Sequence, residues 1–349
     1  MIRFLAAFIV SAGAVYGEQQ LNPPAVELQP PTMPAPSGPS LVAVSSDPRA
    51  LDAFVEDPAV TGAMVDALVR TITGQSATAA AWRALAGPDD RVGIKVTTTG
   101  GPYFSTRRGV VRAVVAGLRS AGVKEVFVWD KSSAALAEAG FTRESVGCEV
   151  RGIDPPRGWD RSASFHAPVL GKLIWGDLMF AEKVADKSAD PLSSKSHLAN
   201  ALSRECTKFI NLPALSDEPG CGVAGAVHSA VIGNLDNWRR FTTFGEGSAA
   251  AMVELYADER IGGKCALHIL DALVVTYASG PGANPQHAVH HDTLYASHDP
   301  VALDATGLRL MEKWRNDANL GPIDNKAAWL GTTAFGNAEE KMIQLRRAQ

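Results

Sequence analysis

The chain has 349 residues, of which 46% are hydrophobic, enough for one large globular domain or two smaller ones. Its 33 basic and 37 acidic residues leave a net charge of −4. No basic stripe interleaves with aromatics, so a nucleic-acid partner, which requires clustered Lys and Arg against phosphate, is not expected.

The first residues, 1–17, combine one early positive charge at Arg3, an apolar run from Phe4 to Val10 and small residues around Ala14 and Gly17. That is the layout of a secretory signal peptide, and the run is too short for a stable membrane span. A buried N-terminal helix is the competing reading. No cysteine follows the run and no later segment is long and apolar enough to span a membrane, so the mature chain is expected to be exported, periplasmic or secreted. Residues 18–40 are dense in Pro and poor in aromatics. They read as an extended linker, leaving 41–349 as a single domain. Cys148, Cys206, Cys221 and Cys265 form no C-x-x-C pair, so no iron–sulfur cluster is expected. One or two disulfides and four free thiols both remain open, because four cysteines allow three pairings.

"SLVAVSS" (Ser40–Ser46) reads as the first strand, and Asp47 as the cap of a helix running through "AMVDALVRTITG". "DRVGIKV" (Asp90–Val96) is a β-branched strand, followed by the loop "TTTGGPYFST". A helix comes next, with Val110, Val111, Val114, Val115 and Leu118 on one face. "KEVFVWD" (Lys124–Asp130) completes a parallel βαβ unit, and "SAALAEAGF" reads as a further helix. From Cys148 to Asp190 no clean period appears, so an irregular insertion is expected, "KLIWGDLMF" being its best strand candidate. "CTKFINLPAL" and "KCALHILDALVV" read as buried strands, "GCGVAGAVHSAVIGNL" as a Gly-punctuated helix, "YASGPGANPQHAVHH" as a loop and "DPVALDATGLRLMEKWR" as an amphipathic helix. The expected fold is α/β: a mainly parallel, mixed sheet covered by helices, in three layers.

Ligands of such sheets bind beyond the carboxyl ends of the strands, which directs attention to the residues found there. After the first βαβ strand, Lys95 precedes a loop bearing Thr97, Thr98, Thr99, Ser105 and Thr106, with Arg107 and Arg108 at the helix start. Free backbone N–H groups and the helix dipole favour an anion there, although neither the P-loop nor the G-x-G-x-x-G spacing is present. A capped turn with solvated arginines explains the same residues. Asp130 ends the second strand and can bind a ligand or cap the next helix. Asp271 ends "ALHILD" and needs a partner if buried. The stretch His290–Asp304 holds three histidines and three carboxylates, but Asp299–Pro300 has the grammar of a helix cap followed by the first helical position. His291 and His298 are left as ligand, base or exposed residues. His228 is the titratable group among the small residues of "CGVAGAVHSAVIG", and a satisfied structural histidine is the plainer explanation.

Together, "DRVGIKV", "AGVKEVFVWD", "KFINLPAL", "GVAGAVHSAVIGNLDNWRRF", "LHILDALVVTYASGPG" and "LYASHDPVALDATG" resemble, in order and spacing, the family domain of unknown function 362, in a form without ferredoxin cysteines. The resemblance covers about Leu41 to the C-terminus and implies no settled activity. The matching polar positions are Lys95, Asp130, Asp217, Asn237, Arg239, Arg240, Asp271, Asp299 and Asp304. Two segments depart from the family pattern. Leu215–Glu218 stands where "L-K-D-H" is common, and Gly225–Ser229 stands where "G-A-L-K-N" is common, so His228 replaces a lysine.

The expected function is binding of a small anionic ligand in a polar cleft at the strand ends, with acid/base or metal-assisted chemistry on it. His228 and Lys95 are the catalytic candidates. Thr97, Thr98, Thr99, Ser105, Asp130 and Arg239 are the ligand-binding candidates, and Asp271, Asp299 and His291 the candidate ligands of a divalent metal. The alternative is a non-catalytic binding or scaffold protein. A nicotinamide-dependent oxidoreductase ranks below both, since the glycine fingerprint is missing.

Overall fold

The computed structural model describes residues 36–154, 158–166, 195–241, 246–280, 282, 284–323 and 326–349. The signal-peptide reading, all but the end of the linker and the "KLIWGDLMF" strand lie outside these residues. The strands in chain order are β1 (Ser40–Ser46), β2 (Leu51–Asp52), β3 (Val55–Glu56), β4 (Arg91–Val96) and β5 (Glu125–Asp130). They continue with β6 (Glu149–Gly152), β7 (Trp159–His166), β8 (Lys195–Ala199), β9 (Lys208–Leu212) and β10 (Ala214–Glu218). The last are β11 (Gly222–Ala224), β12 (Cys265–Thr276), β13 (Ala288–Ser297) and β14 (Ile343–Arg347).

Ten of these strands form one sheet in the order β14-β1-β13-β12-β9-β4-β5-β6, with β10 beside β12 and β11 beside β10. The block β12-β9-β4-β5-β6 is parallel, whereas β13 runs antiparallel to both β12 and β1. The sheet is therefore mixed and mainly parallel, as its continuous apolar strands require. From β4 the chain steps outward to β5 and β6, while from β9 it steps the other way to β12. The reversal between β4 and β9 is the topological switch point, where the strand ends part and leave room for a ligand.

Strand alternation divides the core in two. Val92, Ile94, Val96, Ile210, Leu212, Leu267, Ile269 and Leu273 face helices Pro58–Thr73, Thr78–Leu85 and Arg108–Ser120. Phe127, Trp129 and Phe209 face the opposite layer, which includes helices Ala226–Val231, Glu246–Ala257 and Lys326–Ala334. Helix Pro300–Asp317 packs on this second side over Leu270, Ala272 and Tyr295. In the first layer, a Cβ on Gly117 would stand 2.0 Å from the Trp82 ring. Glycine is what allows the helices Thr78–Leu85 and Arg108–Ser120 to close on that indole.

Three local expectations change. Asp57, not Asp47, caps the first helix, accepting from Ala59 and Val60 N–H, while Asp47 grips Arg49 at 2.7 Å. Both aspartates precede proline, but β2 and β3 pair between them, so only the second has helical sequence after it. The loop after β12 is shorter than expected, because His290 and His291 lie in β13, with His290 opposite Val274. Finally, "CTKFINLPAL" is two strands. Pro213 lacks the N–H to continue the ladder, and its carbonyl accepts from Asp271 N–H at 2.9 Å as the chain passes from β9 to β10. The four cysteines are free thiols.

Candidate functional site

Lys95 is the penultimate residue of β4, on the face of the helix that carries His228, and is only 1% exposed. Its ammonium donates to Asp130 Oδ1 at 2.8 Å and to the Val96 carbonyl at 2.7 Å. A Cβ on Gly233 would stand 2.6 Å from its Nζ, so glycine there makes room for the lysine. The other Asp130 oxygen accepts from Thr98 N–H at 2.9 Å and Thr98 Oγ1 at 2.6 Å, and Oδ1 also accepts from Lys131 N–H. Burial opposes ionisation of Asp130. The Lys95 charge and these donors outweigh it and hold the carboxyl below its usual range. Lys95 and Asp130 thus form a closed pair, each polar atom engaged.

Beside this pair lies a second one that is not closed. His228 sits in the short helix over the sheet, and its Nε2 is buried with no hydrogen-bond partner among the described residues. The Glu218 carboxylate stands close by, its Oε2 4.0 Å from this nitrogen. Burial, together with the charges of Lys131 and Lys95, pushes the imidazole down to about 3, so it is neutral at physiological pH. Glu218 moves the other way. Burial, helped by the neighbouring Asp217 charge, raises its carboxyl. Lys131 reaches across β5 to the Ile232 carbonyl at 3.1 Å and lies over the Trp238 ring at 4.7 Å. Glu218 and His228 belong to the two segments in which the sequence departs from the family pattern, and the fold brings those departures face to face.

Asp304 places this helix. From the helix Pro300–Asp317, its carboxylate accepts from Ala226 N–H at 2.5 Å and Val227 N–H at 3.0 Å, capping a helix that begins 78 positions earlier. Burial lifts its carboxyl to about 7. Gly225 has no side chain to block the approach, for a Cβ there would stand 2.0 Å from Asp304 Oδ1.

Asp271 is not part of this cluster. It lies between Ile269 and Leu273, on the other face of the sheet from Lys95, and accepts from Arg107 N–H at 2.7 Å and Leu273 N–H at 3.1 Å. Glu56 accepts from Gly109 N–H at 2.5 Å. Two carboxylates of the protein therefore occupy the start of helix Arg108–Ser120, where the sequence suggests an external anion. Burial raises both, and their mutual repulsion adds to the rise on Glu56. Of the threonine loop, Thr106 Oγ1 ties the Thr97 amide to the Leu212 carbonyl, sealing the loop over the switch point. Thr99 is exposed, and Ser105 Oγ is buried with no partner among the described residues. The side chain of Arg239 lies outside the described residues.

The proposed metal trio is not gathered. Asp299 lies just beyond β13, three strands across the sheet from β4. It caps its own helix through Val301 and Ala302 N–H, and accepts from Asn337 N–H and Ser40 Oγ. His291 bonds Tyr295 Oη at 2.8 Å and rests edge-on against Trp314. Asp271 is engaged as described. Among the described residues no group of three or more His, Cys, Asp or Glu is placed to hold a metal ion. Asp299 is taken up by the helix cap its sequence announces, and Asp271 by backbone N–H partners that sequence spacing does not reveal.

Sequence reasoning passed over a buried polar row. Lys95, Asn211 and His268 stand abreast on β4, β9 and β12. Cys265 Sγ is 3.3 Å from His268 Nε2, and Asn211 Nδ2 is 3.0 Å from His268 Nδ1, which superficially matches a cysteine–histidine–asparagine nucleophile. The proton positions exclude that reading. Asn211 Oδ1 accepts from Ser229 Oγ and its Nδ2 donates to the Ala226 carbonyl, so Nδ2 also donates to His268 Nδ1. The His268 proton is then on Nε2, aimed at Tyr256 Oη at 2.7 Å, and cannot accept one from the thiol. Burial drives the thiol far up and the imidazole down to about 3. Polar residues alternating within apolar strands, Asn211 in "FINL" and His268 in "LHIL", are the sequence signal for this row.

The geometry can be set beside known proteins. A protein of known structure from Thermotoga maritima is 13% identical, with a TM-score of 0.41, covering 77% of this chain and 61% of that one. The chain therefore spans about three fifths of that neighbour's length. No curated protein matches the chain. No helix among the described residues is long and apolar enough to cross a membrane. The family model for "Domain of unknown function (DUF362)" matches residues 92–309, from the second residue of β4 into the helix Pro300–Asp317. With the match spanning the switch point and all of the polar cluster, the chain belongs to the domain of unknown function 362 family.

Proposed function

We propose that the chain is an exported protein that binds a small anionic molecule above the C-terminal ends of β4, β5 and β10, where His228 hydrogen-bonds to it and Glu218 exchanges a proton with it. The observation that carries this reading is the buried, unpartnered Nε2 of His228, 4.0 Å from Glu218 and within the field of two lysines. A buried polar atom without a partner costs about 1–3 kcal/mol, and a native protein tolerates such a cost where the atom has work with a ligand.

The division of labour follows from the proton affinities. A neutral imidazole near 3 is too weak a base for chemistry at neutral pH, and acts instead as a hydrogen-bond donor or acceptor. Glu218, its carboxyl raised by burial, is the better proton-transfer group. Lys131 balances negative charge on the ligand. Lys95 and Asp130 hold Thr98 and the strand ends in place, so in this reading they support the site without meeting the ligand.

Thermal shift with inorganic phosphate, acetate and glycolate, at about pH 6 and pH 8, tests the reading. An anion beside His228 offsets the lysine field and favours a protonated Glu218, so stabilisation should be larger at the lower pH. It should vanish in His228→Phe, and in Glu218→Gln, which mimics the protonated carboxyl, it should persist without its pH dependence. Stabilisation indifferent to both substitutions would remove the site. Stabilisation without turnover of any tested compound would favour the non-catalytic reading, which the closed Lys95–Asp130 pair also supports. Mass spectrometry of the protein purified from its native host tests export, through loss of about the first seventeen residues.

A further inference from the structure

The opposite rim of the sheet carries a second feature. The N-terminal ends of β4, β5 and β6 enclose a cavity of about 620 Å3, within the range of small-molecule sites. Val126 and Phe127 contribute apolar wall, and basic side chains dominate the lining. Arg151 is already committed, bonded to Glu149 at 2.7 Å and Glu205 at 2.5 Å, with its guanidinium over the Phe127 ring. The remaining charged lining is Arg91, Arg119, Lys124 and Arg143 against one carboxylate, Glu125.

Two of these cations are fixed in place. Arg119 donates to the Gly147 carbonyl at 2.6 Å and Arg91 to the Arg204 carbonyl at 3.2 Å, leaving their other N–H groups free to point elsewhere. Among the described residues no hydrogen bond or ion pair holds the Lys124 or Arg143 side chain, and both are exposed. Like charges gathered round a concave wall focus a positive potential, and guanidinium groups bind oxyanions in paired hydrogen bonds.

We propose that this cavity binds a small molecule carrying two or more negative charges, either a phosphorylated or a polycarboxylate compound. It is separate from the site at His228. Arg91 and Lys95 are the first and fifth residues of β4, so the two rims stand about 13 Å apart along the strand.

The test is titration calorimetry of the full chain with pyrophosphate and with citrate, at constant ionic strength. Comparison is made with Lys124→Glu/Arg143→Glu, whose side chains hold no structure, and with Arg346→Glu/Arg347→Glu on the exposed strand β14. Binding of either anion, at least about tenfold weaker in the cavity variant and retained in the β14 variant, supports the site; tenfold corresponds to about 1.4 kcal/mol. Pyrophosphate alone would assign phosphorylated compounds, and citrate alone polycarboxylates. Retention in His228→Phe keeps the result independent of the other rim. No binding of either anion overturns the proposal, as does an equal loss in both charge-reversed variants, which would mark diffuse attraction rather than a site. If the double variant melts well below the wild type without ligand, Lys124→Gln serves in its place, with the same outcomes.

Discussion

Two acid–base pairs stand side by side at the C-terminal ends of the strands, and they are built on opposite principles. In Lys95–Asp130 each oxygen and the ammonium are engaged, and the charges are held in place by Thr98, Lys131 and the Val96 carbonyl. In His228–Glu218 the groups are 4.0 Å apart, one nitrogen lacks a partner, and both are pushed toward their neutral forms. A closed pair specifies a fold. An open pair, with burial opposing the charge of each member, is free to respond to a ligand.

The largest effect is therefore expected at the closed pair. Lys95→Ala leaves Asp130 buried and uncompensated, and should lower unfolding free energy by about 3–5 kcal/mol in a denaturant titration. Replacing both members, as Lys95→Met with Asp130→Leu, should cost less than the single change, since no charge is left stranded. A loss below about 1 kcal/mol for Lys95→Ala would show the pair to be dispensable and the contrast false.

The helix caps come next. Asp299→Ala removes the cap of its own helix and the links to Ser40 and Asn337, and should cost about 2 kcal/mol. Asp304→Asn probes the cap of the His228 helix through its pH dependence. The folded carboxyl is raised to about 7, so its favourable contribution is complete below about pH 4 and is lost as pH rises through 7. The advantage of wild type over Asp304→Asn should then shrink between about pH 5 and pH 8. An advantage that grew with pH would mean the carboxyl is ionised in the folded protein, with a depressed proton affinity.

The smallest change should come from the open pair. His228→Phe keeps an aromatic ring, a slightly larger one, and removes the buried, unpartnered nitrogen, so stability should stay within about 1 kcal/mol of wild type, in either direction. A large loss on unfolding would place His228 among the structural residues and leave the open pair without its special status.

These contrasts were only partly visible in the sequence. Periodicity and β-branching mark β1, β4, β5, β12 and the helix Arg108–Ser120, and Asp299–Pro300 announces its helix correctly. These are local signals, each contained within one turn or one strand. The site depends on relations that are not local. Lys95 and Asp271 look equivalent as polar strand residues, but the pairing register turns them to opposite faces. Asp304 caps a helix 78 positions away, and Glu218 meets His228 only because β11 folds back on β10 and leads into that helix. The anion-binding helix start is real in its grammar, but Glu56 and Asp271 occupy it, and neither is near it in sequence.

The most direct measurement is the proton affinity of the His228 imidazole, followed by NMR of its ring protons with and without inorganic phosphate and assigned by comparison with His228→Phe. In the free protein the ring should stay neutral across about pH 5–8, consistent with a value near 3, and phosphate should move its titration upward into that window. An imidazole that titrates near its ordinary value of 6.5 in the free protein, and is unmoved by phosphate, would contradict the account.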